Sequence, residues 1–123
     1  MYTQNAKNMY QQNQILTASP KKLVSLLFEG SIKNLSLAKI YLDKKDYEQV
    51  NRVLQKHQNI ILELQSTLNF EQGGEVARNL DMMYTYLYEQ AMKANVQKNV
   101  TIIDDSIKIV KELLESWNEM EPY

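Results

Sequence analysis

Apolar residues recur at steps of three and four along most of this chain, and four segments carry the pattern. The first opens at Ser19-Pro20, a helix N-cap followed by a residue suited to the first turn. Its stripe reads Val24, Phe28, Ser31, Leu35, Ala38 and Leu42, widened by Leu23, Leu27 and Ile32. Gly30, Ser31 and Ala38 are small, so a neighbouring helix can come close there. The stripe stops at "LDKKDYE", where Asp46 is placed to cap the next segment. The second segment runs Val50, Val53, Leu54, His57, Ile60, Ile61, Leu64 and Leu68, and "NFEQGGEV" interrupts it. Two glycines can end one helix in a left-handed conformation and open another. The third segment carries Val76, Ala77, Leu80, Met83, Tyr84, Leu87, Tyr88, Ala91 and Ala94. After "NVQKNVT", with Asn99 or Thr101 as cap, the fourth carries Ile103, Ile107, Val110, Leu114 and Trp117.

This patterning predicts helices over about 20–43, 46–69, 75–95 and 100–119. Helices of about twenty residues are about 30 Å long, and short connections between them force antiparallel neighbours. The expected fold is all-α: an antiparallel up-down four-helix bundle over residues 19–120, preceded by a flexible arm over 1–18 that serves as an N-terminal cap segment.

The third segment is more apolar than a bundle helix requires. "NLDMMYTYLYEQAM" holds Leu80, Met82, Met83, Tyr84, Tyr86, Leu87, Tyr88 and Met92, and at about 100° per residue they spread over most of the circumference. Ile102, Ile109, Leu113 and Met120 flank the fourth stripe in the same way. A wide core with partly exposed tyrosines is one reading. The other is a groove for an amphipathic partner helix, lined by Leu80, Met83, Tyr84, Leu87, Tyr88, Ile102, Ile109 and Leu113. An apolar groove is an aggregation liability when empty. The Asn/Gln-rich opening "MYTQNAKNMYQQNQILTASPKK" supplies Tyr10, Ile15 and Leu16 on a polar tether, the makings of a removable lid.

Composition narrows the chemistry. The 123 residues fit one domain, with Lys+Arg 14 against Asp+Glu 15 and no cysteine. His57 is the only histidine, and a carboxylate-bridged metal bundle needs Glu-x-x-His pairs, whereas Leu54 stands three residues before His57. His57 is therefore expected as a half-buried packing residue. Asp104-Asp105 open a helix, where negative charge complements the dipole. "EQGGEV" lacks the Lys-Ser/Thr of a phosphate-binding loop. No catalytic residue, cofactor or metal is expected, and no enzyme. Lys21, Lys22, Lys33, Lys39, Lys44 and Lys45 make the first helix basic, but acids elsewhere balance them, so no nucleic-acid partner is expected. No long apolar run and no basic-then-apolar leader appear, so neither membrane insertion nor a secretion leader is expected.

Three stretches together resemble the flagellin-specific export chaperone family, FliS: "NMYQQNQILTASPKKLVSLLFEG", "NIILELQSTLNFEQGGEVARNLDMMYTYLYEQAMKANVQKN" and the late "LLESWN". The family's N-terminal tyrosine falls on Tyr10, its Ser-Pro-Leu element on Ser19, Pro20 and Leu23, and its Gly-Gly-Glu on Gly73, Gly74 and Glu75. Its Asn-Leu and following Tyr fall on Asn79, Leu80 and Tyr84, and its late Trp on Trp117. Phe28 stands where Tyr is common, and His57 where a small residue is common. The resemblance implies a cytoplasmic, non-enzymatic chaperone that binds the C-terminal region of flagellin, one to one, and prevents its premature polymerisation. It also implies presentation of flagellin to the export gate of the flagellar type III apparatus. The alternative is a helical-bundle adaptor that self-associates through its surplus apolar face.

Overall fold

The computed structural model describes residues 20–120, and they form four helices in chain order. These are α1 (Pro20–Asp43), α2 (Tyr47–Ser66), α3 (Phe70–Gln97) and α4 (Val100–Glu119). Each start after the first has a side-chain cap that satisfies otherwise orphaned N–H groups. Asp46 accepts from Gln49 N at 3.4 Å, Asn69 from Gln72 N at 3.0 Å, and Asn99 from Thr101 N at 2.9 Å. Ser19 lies outside the described residues. Two helix ends close with a lysine in the left-handed region: Lys45 (φ 57°) after α1 and Lys98 (φ 51°) after α3. The turns return Asp46 N to Tyr41 O at 2.9 Å and Asn99 N to Ala94 O at 3.1 Å.

The glycine pair sits inside α3, which starts at Phe70, five residues ahead of the start that periodicity predicts. Asn69 caps a first turn, Gly74 breaks it at φ 49°, ψ −123°, and the main helix continues from there. That backbone conformation is closed to residues with a side chain. At Gly73 the constraint is space, since a Cβ would lie 2.8 Å from that of Ala77.

Around the bundle the order is α1, α2, α3, α4, with α4 closing back onto α1. Antiparallel packing of α1 and α4 is fixed at both ends. Near the start of α1, Trp117 Nε1 donates to Lys21 O (2.8 Å), Ser25 Oγ donates to Asn118 Oδ1 (2.7 Å), and Lys21 Nζ reaches the carbonyls of Asn118 and Met120. At the far end Lys39 pairs with Asp104 at 2.6 Å. The core draws Phe28 and Leu35 from α1, Leu54 and Ile61 from α2, Tyr84 and Leu87 from α3, and Ile103 and Val110 from α4. Phe28 and Tyr84 meet across it, ring centroids 6.3 Å apart. Of the four seams between neighbouring helices, the one between α3 and α4 is the most sparsely packed. No helix among the described residues is long and apolar enough to cross a membrane.

Candidate functional site

Among the described residues Ser25, Ser31, His57 and Ser106 are the buried polar side chains, and of these His57 and Ser31 pair with each other. His57 is fully buried rather than half-buried, because it shares a heptad position with Val50 and Leu64 on the inward face of α2. Its Nδ1 meets Ser31 Oγ of α1 at 2.7 Å, and Nε2 has no protein partner. Burial lowers its pKa from 6.5 to about 4, so the ring is neutral at pH 7. Neither His57 nor Ser31 reaches solvent, which leaves the pair nothing to act on. Among the described residues no cluster of three or more His, Asp or Glu is placed to hold a metal ion. A shallow polar cleft, lined by Lys21, Lys22, Ser25, Glu29 and Asn118, marks only the junction of α1 with the end of α4.

The exposed apolar surface is concentrated on α3, and neighbouring contacts say which way each residue faces. Gln65 of α2 hydrogen-bonds Asp81 Oδ1 (3.2 Å) and Thr85 Oγ1 (3.1 Å), and Gln58 of α2 donates to Tyr88 O (3.2 Å). Asp81, Thr85, Tyr88 and Met92, spaced by four, three and four, therefore form the stripe of α3 that looks towards α2. On the opposite flank, towards α4, run Val76, Leu80, Met83 and Leu87 at the same spacing. The matching flank of α4 carries Ile102, Ile109, Leu113 and Ser116, since Asp104 and Asn118 already mark the side that faces α1.

The eight groove candidates are thereby divided. Tyr84 and Leu87 are 1% and 0% exposed, and Ile102 is 9% exposed. These three belong to the core, and their placement on an open surface is corrected: they form the floor beneath the seam, out of reach of a partner. Tyr88 is half-buried on the α2 side, one step of the helix away from the seam. Leu80, Ile109 and Leu113 are half-buried against the core, and Met83 is 37% exposed. These four form a partly exposed apolar stripe on the flanks where α3 and α4 pack least closely. Val76, 57% exposed, extends it towards the end of the bundle where α1 begins. Periodicity alone passed over Val76 as a lining residue, although the step from Val76 to Leu80 to Met83 was there to be read. Met82 and Met92 are exposed too, but off the seam.

The motif residues are structural in position. Pro20 opens α1, Leu23 and Trp117 are half-buried, and Gly73, Gly74 and Glu75 form the break in α3. Asn79 is exposed on the rim of the groove. Tyr10, Ile15 and Leu16 lie outside the described residues.

Comparison with known proteins adds a whole-chain likeness. A family model described as flagellar protein FliS matches residues 2–123. A flagellar secretion chaperone FliS of Campylobacter jejuni is 37% identical over 115 residues, covering 94% of this chain and 90% of that one. The protein of the same description from Bacillus subtilis is 33% identical, covering 97% and 88%. That from Vibrio cholerae is 32% identical, covering 94% and 85%.

Proposed function

The chain belongs to the FliS family, and from that premise we propose that it is a cytoplasmic, non-enzymatic secretion chaperone whose client is the C-terminal region of flagellin. The observation that carries this reading is the half-exposed apolar stripe of Leu80, Met83, Ile109 and Leu113 along the sparsest seam of the bundle. A disordered amphipathic segment lays its apolar face in such a groove and becomes helical there. Ordering the client costs roughly 2–5 kcal/mol, which burial at about 25 cal/mol per Å² must exceed. A few hundred Å² of apolar surface suffices. The same faces drive flagellin to polymerise, so a client held in the groove cannot assemble early.

Nothing in the sequence forms a phosphate-binding loop, so release falls to the export apparatus, whose gate receives the loaded chaperone.

Titration with the C-terminal segment of flagellin tests the assignment. Met83→Glu places an unpaired charge on the groove without touching the core, and it is expected to weaken one-to-one binding by at least tenfold while melting stays unchanged. Full affinity in a folded Met83→Glu chain would remove the groove from the client's path.

A further inference from the structure

The groove has two different rims. On α3 the outward edge holds no row of acids: Asn79, Tyr86 and Gln90 follow the stripe, and one cation, Lys93, stands a step of seven beyond Tyr86. On α4 the outward edge carries Asp105, Glu112 and Glu119, all exposed and spaced by seven, so that they stand in one row about 10 Å apart. Among the described residues the ion pairs are Lys39–Asp104 and Arg78–Glu75, which leaves this row without a cation at salt-bridge distance. Lys108 is on the same helix but one step further out, away from the groove. The row belongs to a wider asymmetry. Residues 20–66 carry eight cations and five anions, whereas residues 67–120 carry five cations and nine anions. The half of the bundle that presents apolar surface is the acidic half.

Resting on the groove reading above, we propose that the groove selects an amphipathic helix with a basic edge: an apolar stripe flanked on one side by Lys or Arg at about every seventh residue. Apolar burial supplies the attraction, and the acidic row supplies selection. A basic edge meets Asp105, Glu112 and Glu119 in turn, while an acidic edge is repelled by all three. Because only the α4 rim carries a row of anions, the edge also fixes which way the helix runs: reversing the helix would carry its basic side to the α3 rim, where Lys93 opposes it. Exposed pairs of this kind are individually weak and salt-sensitive, so the discrimination comes from the row acting together.

Two synthetic peptides about three heptads long test this, sharing one leucine stripe and differing along one edge, lysine in one and glutamate in the other. At low ionic strength the unaltered chain is expected to bind the lysine-edged peptide about tenfold more tightly, with the preference shrinking as salt is raised. In the Asp105→Asn/Glu112→Gln/Glu119→Gln variant the two peptides are expected to bind within about twofold of each other. Equal binding to the unaltered chain, binding of neither peptide, or a preference that survives in the triple variant would overturn the proposal. A preference that survives Met83→Glu would overturn the groove reading itself. A flagellin segment that Met83→Glu releases but the triple variant holds at full strength, at every salt concentration, would overturn the basic edge alone.

Discussion

Replacing Tyr84 by alanine is expected to cost about 3–5 kcal/mol of folding stability, a large part of what a domain of this size possesses. The ring is 1% exposed and packs against Phe28 across the core, so truncation removes apolar burial and leaves a void between α1 and α3. Met83, next in sequence, is 37% exposed, and Met83→Ala is expected to change stability by no more than about 0.5 kcal/mol. Urea unfolding of the two variants at pH 7 separates the floor of the groove from its lining. A loss under 1 kcal/mol for Tyr84→Ala would take Tyr84 out of the core and return it to the candidate surface.

Acid is expected to weaken this fold through one residue. In the unfolded chain His57 takes up a proton near 6.5, whereas in the folded bundle burial holds its pKa at about 4. Between those values the unfolded state binds the proton and the folded state does not. Stability from this residue is therefore complete above about pH 6.5, falls as the pH drops towards 4, and is level below that. The full loss is about 3 kcal/mol. The physical cause is burial: protonation would place a charge in the core, and its second N–H, at Nε2, has no protein partner beside the Ser31 contact at Nδ1. Carboxylates also titrate in this range, so the comparison is with His57→Gln, which cannot take up the proton. Unfolding free energies measured at pH 7 and pH 4.2 should fall further in the unaltered chain, by about 3 kcal/mol, than in His57→Gln. Parallel losses in the two chains would mean that the folded state accommodates the imidazolium.

Much of the architecture is legible in the sequence because helix signals are local. Steps of three and four mark the helices, and Asp46 and Asn99 can be read as caps since a short side-chain acceptor followed by an apolar period has few other uses. The start of α3 is harder. "EQGGEV" reads as an interruption, and it is one at Gly74, yet Asn69 caps a turn ahead of it that glycine content alone conceals. The groove is only half legible. In α3 the apolar residues are so dense that periodicity does not locate the centre of the buried stripe, and Tyr84 and Leu87 fall both in that stripe and among the groove candidates. The small residues would have located it. Ala77 and Ala91 bracket Tyr84 at steps of seven, and Ala94 follows Leu87 at the same step, marking the face pressed against neighbours. His57 tells the same story, since its heptad mates Val50 and Leu64 are both buried. Which flank of α3 faces α4 depends on contacts with Gln58 and Gln65 that no periodicity encodes.

Methionine methyl resonances offer the most direct test of the α3/α4 groove, because the chain already carries probes on and off it. Met83 lies on the seam, while Met82 and Met92 are exposed on other faces of the same helix. Titrating a methyl-labelled chain with the C-terminal segment of flagellin is expected to shift Met83, saturating at one equivalent, with much smaller changes at Met82 and Met92. Shifts confined to Met82 and Met92, or none at any methionine with the segment bound, would place the client on another face and contradict the groove.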